Sequence, residues 1–230
     1  MAEGVRVVEE LVRAGATLHG VLLAKSATAS VRAVAVADLA AAHGVPRDIV
    51  SDAEFASAAS TDTPQGVLAI AAVPDCPLGS LGAEALGRAV ILDGLQDPGN
   101  VGTVIRTAAA FGVRTVVALP GTVEPWNAKV VRAAAGGHFH LQVTHASFPE
   151  LADALRTAGV PLWAADASGR PVGTVERPPA LALALGNEGG GLSDQVRRAA
   201  TGFVALPMAP GIESLNVAVA GGILMHALFA

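Results

Sequence analysis

Two rhythms of apolar residues alternate along the chain. Val5, Val8, Leu11 and Val12 fall at helical spacing within residues 4–14, which Gly15 ends, and an apolar run at 21–24 reads as a strand. Ser30 stands where it can cap a helix reaching residue 42, with Gly44 and Pro46 as its stop. A strand at 49–50, a small helix over 52–59 and a strand over 67–73, entered through a turn at 61–66, complete a compact α/β module. Pro, Gly, Ser and Ala then dominate residues 74–88, which read as an interdomain linker with a short helical patch.

From residue 89 onward strand and helix patterns follow one another. Strands are expected at 89–92, 115–119, 140–144, 162–165, 181–185 and 203–206, and helices over 101–111, 125–135, 148–158, 193–199 and 214–229. Strands as uniformly apolar as 180–185 suit a parallel sheet covered on both faces. The expected organisation is an N-terminal domain at 1–73, a linker at 74–88 and a parallel α/β domain at 89–230.

Polar residues gather directly after three buried strands, where open α/β sheets bind ligands. The first group runs from Asp93 through Gln96, Asp97 and Asn100 to Arg106, the second is Gly186-Asn187-Glu188-Gly189-Gly190-Gly191, and the third runs from Pro207 through Ser214 and Asn216 to Gly222. In the third, a turn rich in Pro and Gly delivers Ser214 to the place where an N-cap is wanted, ahead of an apolar helix. Asn216, set in so apolar a run, would cost about 1–3 kcal/mol if buried without a partner, so its amide should be hydrogen-bonded. A capping Ser with a core Asn that satisfies backbone, and a pair of ligand-binding groups, are both compatible with these residues alone.

Composition narrows the function classes. An apolar fraction of 52% supports a well-filled core, while the longest apolar stretches are broken by Asn216, Gly221, Gly222 and His226, so none makes a membrane span. The N-terminus lacks a basic then apolar leader, and the single cysteine, Cys76, cannot form an internal disulfide; a soluble, cytoplasmic protein is expected. The formal net charge of −5 argues against holding nucleic acid mainly through nonspecific phosphate contacts. Arg106, Arg114, Lys129 and Arg132 nevertheless fall in a stretch poor in carboxylates and could form a local basic surface or an ordinary solvated face. No Gly-x-Gly-x-x-Gly follows the first strand, no Gly-Lys-Ser/Thr occurs, and no Gly-x-Ser-x-Gly elbow is present, which removes the standard dinucleotide, Walker and hydrolase signatures. His138, His140 and His145 lack a nearby Cys or carboxylate cluster, so they read as strand-surface histidines and no metal is expected.

Taken together, Asn100 six residues before Arg106, Gly186-Asn187-Glu188-Gly189, and Ser214-Leu215-Asn216-Val217-Ala218 resemble the SpoU/TrmH family of RNA ribose 2'-O-methyltransferases. The resemblance covers residues 89–230. Glu3-Gly4-Val5 with Glu9-Glu10, and Thr63-Pro64-Gln65-Gly66-Val67, are similar to the start and end of the family's small RNA-binding domain, which is itself like a ribosomal protein. A leading segment seen in many relatives is accordingly expected to be short or absent here.

The resemblance implies a SPOUT domain whose C-terminal segment threads a deep trefoil knot around an S-adenosyl-L-methionine pocket, although general rules of chain topology argue against knots. It implies a homodimer, with the helix containing Gly221-Gly222 as a dimer face or, alternatively, as a buried intramolecular helix. Backbone groups around Gly186, Leu206 and Leu215 match the positions that hold the cofactor. Arg106 matches the residue assigned to hydroxyl activation; a guanidinium stays charged, so binding a phosphate and stabilising the developing alkoxide suits it better than taking a proton. Asn100, Ser214 and Asn216 match polar residues that orient substrate and one another, and Glu188 matches an acidic residue expected to fix Arg106 or another donor. The implied substrate is large-subunit ribosomal RNA. Transfer RNA, a non-catalytic RNA-binding role and a dinucleotide-dependent oxidoreductase are the alternatives.

Overall fold

In the computed structural model every residue except Ser60, Asp62 and Glu213 is described. Asp62 of the turn expected at 61–66, and Glu213 ahead of the C-terminal helix, therefore lie outside the described residues. The chain divides into two compact units, Met1–Pro74 and Asp75–Ala230.

In the first unit, β1 (Ala2–Glu3), α1 (Val5–Arg13), β2 (Leu18–Ala24), α2 (Val31–Ala42), β3 (Arg47–Val50), α3 (Asp52–Ala58) and β4 (Val67–Ala71) follow in order. Helical spacing in α1 buries Val8, Leu11 and Val12, and the Ser30 hydroxyl accepts the Ala33 amide as the cap of α2. Ser51 and Glu54 close a reciprocal capping box that starts α3 and turns Phe55 into a small core with Ala24 and Leu68. The sheet order is β1-β4-β2-β3, with β2 and β3 parallel and the other pairs antiparallel. The two-residue strand β1 is too short for any alternation to reveal, and it exists because β4 offers it an edge.

The second unit begins within the linker stretch, where Leu78 and, in the short helix α4 (Ala83–Leu86), Leu86 are buried in this unit's core. Then come β5 (Arg88–Asp93), α5 (Pro98–Ala110), β6 (Thr115–Ala118), α6 (Ala128–Ala134), β7 (Gln142–His145) and α7 (Phe148–Ala158). They are followed by β8 (Leu162–Pro171), β9 (Leu181–Gly186), α8 (Asp194–Ala199), β10 (Gly202–Ala205) and α9 (Val217–Phe229). Six parallel strands lie in the order β10-β8-β9-β5-β6-β7. Strand alternation splits the core: Val90, Leu92, Leu183 and Leu185 face one side with α5 and α9, and Ile91, Ala182, Ala184 and Val117 face the other with α7 and α8.

Several elements differ from the pattern reading; besides α6, which starts at Ala128 and not at residue 125, three bear on the site. β8 runs to Pro171 because Gly169 lets β10 come close enough to pair; a Cβ there would lie 2.6 Å from the Phe203 carbonyl carbon and the Val204 amide. His138 and His140 do not share a strand face: Gly137–Phe139 is a 3-10 turn, His138 is buried, and β7 starts only at Gln142. The C-terminal helix is capped by Asn216 and not by Ser214.

Candidate functional site

Because all six strands run the same way, their carboxyl ends deliver the three polar stretches to one end of the sheet. Asp93 closes β5, is buried, and accepts the Ser193 amide at 2.7 Å, which ties the start of α8 to the neighbouring strand. Asn187 folds the glycine loop after β9: its Oδ1 accepts the Gly189 and Gly190 amides at 2.9 and 2.7 Å, and its Nδ2 donates to the Gly94 carbonyl at 2.7 Å. Asp93 and Asn187 were not among the expected site residues. The signal for both was a polar side chain at the end of an apolar strand or one residue past it.

On this scaffold Glu188, Asn100 and Asn216 form one hydrogen-bonded series. Asn100 Nδ2 donates to Glu188 Oε1 at 2.9 Å, and Asn216 Nδ2 donates to Asn100 Oδ1 at 2.9 Å. Asn216 Oδ1 accepts the Ala218 and Val219 amides at the start of α9. Each amide orientation follows from the next, because an ionised carboxylate and a carbonyl oxygen only accept and helix N–H groups only donate. Asn100 and Asn216 each keep one further Nδ2 N–H for another acceptor, whereas Asn187 spends both, on the Gly94 carbonyl and on Glu188 Oε2. Partial burial pushes the Glu188 carboxyl upward, but hydrogen bonds from the Asn100 side chain and from the backbone amides of Glu188, Gln96 and Asp97 outweigh it and hold the pKa below the ordinary value.

Asn216 is exposed, contrary to the expectation of a buried amide, because the turn before α9 lifts it clear of the apolar helix it caps. Its partners are the helix N-terminus and Asn100, so capping and side-chain contact are met by one residue. Ser214, displaced from the cap, lines a cavity of about 550 Å³. Gly186, Glu188, Leu206, Leu215 and Asn216 line the same cavity, with Leu185 and Leu224 on its apolar side. That volume and a mostly apolar wall with a few convergent polar groups are those of a small-molecule site.

Asp97 caps α5 by accepting the Asn100 amide at 2.7 Å, and Pro98 takes the first turn, so the helix starts before the expected residue 101. Arg106, further along α5, is exposed, lies outside the cavity lining, and makes no hydrogen bond or ion pair with a described residue. The partner of Glu188 is therefore the Asn100 amide and not Arg106. Backbone packing fixes the base of Arg106: a Cβ on Gly137 would lie 2.9 Å from its Cα. Among the other cations, Lys129 and Arg132 are exposed on α6, which packs on α5, but Arg114 sits at the amino end of β6 and pairs with Glu84 at 2.9 Å. The local basic surface thus excludes Arg114. No group of three His, Cys, Asp or Glu able to hold a metal occurs among the described residues, and no described helix is long and apolar enough to cross a membrane.

Residues 87–226 match the SpoU rRNA Methylase family, and residues 1–75 match the family described as RNA 2'-O ribose methyltransferase substrate binding. The 23S rRNA (guanosine(2553)-2'-O)-methyltransferase of Bacillus subtilis is 36% identical over 187 residues, which cover 80% of this chain and 73% of that protein. The structure of an AdoMet-bound rRNA methyltransferase from Sinorhizobium meliloti is similar with a TM-score of 0.85 at 28% identity, over 98% of this chain and 84% of that one. The SpoU methyltransferase AviRb from Streptomyces viridochromogenes, solved in complex with AdoMet, gives 0.85 at 26% identity over 98% and 87%. With one family model spanning most of the second unit and a second spanning the first, the chain belongs to the SpoU rRNA methylase family.

Proposed function

We propose that this chain is an S-adenosyl-L-methionine-dependent methyltransferase acting on a ribose 2'-hydroxyl of large-subunit ribosomal RNA. The observation that carries the reading is the Glu188–Asn100–Asn216 series at the lip of the cavity lined by Gly186, Leu206 and Leu215. The relative from Bacillus subtilis is named for ribose methylation of 23S rRNA, and two similar structures hold AdoMet.

S-adenosylmethionine supplies, when bound, a methyl group on a sulfonium that an oxygen nucleophile can take. Its hydrophobic and polar portions fit a cavity with leucine walls and a polar rim, held by backbone groups around Gly186, Leu206 and Leu215. Asn216 and Ser214 face that cavity, Asn216 with a spare N–H and Ser214 with a hydroxyl that no described residue engages. Glu188, kept anionic, is a weak base at neutral pH; its part is to set the orientation of Asn100. Arg106, exposed and unpaired with any described residue, binds an RNA phosphate and stabilises negative charge developing on the sugar oxygen. The chain thereby contributes alignment and electrostatics.

Three further readings belong to this proposal. The segment from Leu206 to α9 threads a trefoil knot; its support is that β10 lies at one edge of the sheet while α9 returns to pack on α5. The first unit is a ribosomal-protein-like domain that binds the RNA, supported by its match to a substrate-binding family model. The protein is a cytoplasmic homodimer joined through the outer face of α9, where Val219 and Ile223 are exposed; Gly221 turns inward, its hydrogen where a Cβ would lie 2.7 Å from Leu185.

The test is methyl transfer from labelled S-adenosylmethionine to unmethylated large-subunit rRNA, followed by nuclease digestion and mass spectrometry of the nucleosides. A single 2'-O-methylated nucleotide is expected. Labelling of a base, or no ribose methylation gained anywhere in total RNA when the protein is supplied, would refute the assignment.

A further inference from the structure

One of the two tryptophans stands at the ligand end of the sheet against a buried imidazole. Trp126 lies between β6 and α6, in a loop pinned to the turn that enters α5. Thr122 Oγ1 donates to the Leu92 carbonyl at 2.9 Å and accepts the Gly94 amide at 3.1 Å, and the Val123 amide donates to the Leu95 carbonyl at 2.8 Å. The indole is half-buried, its ring centre 4.7 Å from that of His138 with a tilt of 44°. Nε2 of His138 is 2.8 Å from the Pro125 carbonyl, and since a carbonyl only accepts, Nε2 carries the proton. Nδ1 is left buried with no partner among the described residues, which is costly. In return one imidazole holds Pro125 by a hydrogen bond and Trp126 by ring contact.

The turn bearing His138 also reaches Arg106. Ala135 and Gly136 adopt φ of 48° and 96°, conformations that bend the chain sharply after α6. Gly137 then lies directly on the backbone of α5 at Arg106, so closely that a Cβ would stand 2.9 Å from the Arg106 Cα. Trp126 and Arg106 are thus referenced to the same short turn, beside the exposed Lys129. The Trp126 indole N–H has no hydrogen bond to a described residue.

We propose that Trp126 is a stacking platform for a base of the RNA adjacent to the nucleotide whose ribose is methylated. This rests on the reading of the chain as an RNA ribose methyltransferase. A ribose hydroxyl within a paired helix is poorly accessible, so the target nucleotide must leave its stack, and its neighbour then loses a partner. A rigidly backed indole replaces that partner with little dependence on base identity, while Arg106 and Lys129 meet the phosphates on either side.

Trp163→Phe leaves Trp126 as the sole tryptophan of the whole chain, and an unmethylated transcript of large-subunit rRNA is expected to quench its emission. Trp126→Leu keeps apolar bulk over His138 without an aromatic face. It is expected to raise KM for that transcript about tenfold, with kcat and S-adenosylmethionine affinity held within about twofold. Trp126→Phe is expected to restore most of the loss, which a purely structural role for the bulk would not require. Unchanged KM in Trp126→Leu, or emission indifferent to RNA that the protein binds, overturns the platform while leaving methyl transfer by the wild type intact. Quenching by the large-subunit rRNA transcript with no methyl transfer to it by the wild type supports stacking on Trp126 and counts against the methyltransferase reading instead.

Discussion

Gly102→Ala probes the helix that carries both Asn100 and Arg106. A Cβ at this position would lie 2.4 Å from the Ala133 Cβ, 2.7 Å from the Val130 carbonyl oxygen and 2.9 Å from the Ala134 amide. None of these is the movable end of a long side chain. Alanine gains up to about 1 kcal/mol over glycine in a helix interior, whereas overpacking a well-filled core costs about 1–3 kcal/mol. Carbon atoms normally rest about 3.5–4.0 Å apart, so α5 and α6 must separate by on the order of 1 Å to relieve the contact. The clash is expected to win, with net destabilisation of about 1–2 kcal/mol and a melting temperature lower by about 2–8 °C. Displacement of that size at the site can lower kcat by about a hundredfold. Thermal denaturation followed by circular dichroism, beside methyl transfer at a temperature where the variant is folded, reads both effects. Gly79→Ala, with nothing within 4 Å of its Cβ, serves as the control and should stay within about 0.5 kcal/mol of wild type. An unchanged or raised melting temperature in Gly102→Ala would refute the close α5–α6 approach.

Arg106→Ala is expected to abolish methylation while S-adenosylmethionine affinity stays within about threefold, because the side chain stands outside the cavity; calorimetric titration that shows lost cofactor binding in a folded variant would contradict this. Asn216→Ala should lower stability by about 1 kcal/mol through the lost cap, together with activity through the lost hold on Asn100, and equal melting temperatures would count against it. Burial lowers the His138 pKa to about 4 from its ordinary 6.5, with the Pro125 hydrogen bond opposing. The unfolded chain therefore binds more protons between those values, so stability is complete above pH 6.5 and is lost as pH falls toward about 4, by at most about 3 kcal/mol. His138→Phe should flatten the urea midpoint between pH 6.5 and 4.5; an unaltered slope would show that other groups govern it.

Strands and helices were legible wherever a single rhythm sufficed. The alternation in 89–92 and 181–185 appears as two opposite faces of the central strands, and Ser30 and Ser193 cap the helices they precede. Positions decided by distant residues were not legible. Ser214 and Asn216 both have capping chemistry, and the choice falls to Asn216 because its amide must also meet Asn100, which lies 116 residues away in sequence. The His-Phe-His run mimics strand alternation, yet Gly136 and Gly137 bend it into a turn that lies on α5. Asp166 and Ser168 look like loop residues, and only the neighbouring edge strand turns that stretch into a continuation of β8. The motif residues of the cavity rim could be read from sequence, but the order of donors and acceptors linking Glu188, Asn100 and Asn216 depended on which group each amide faces.

The wall supplied by Leu206, Leu215 and Leu224 is made after every strand of the sheet has been synthesised. Domains emerge from the ribosome at about 5–20 residues per second and begin to fold from the N-terminal side. A nascent chain halted before residue 206 would hold Glu188 and Asn100 without Asn216 to align them, and its half-built cleft would be open to water. Ligand affinity during translation should therefore arise abruptly, as α9 closes on α5, which makes stalled chains of graded length a direct clock for the final docking step.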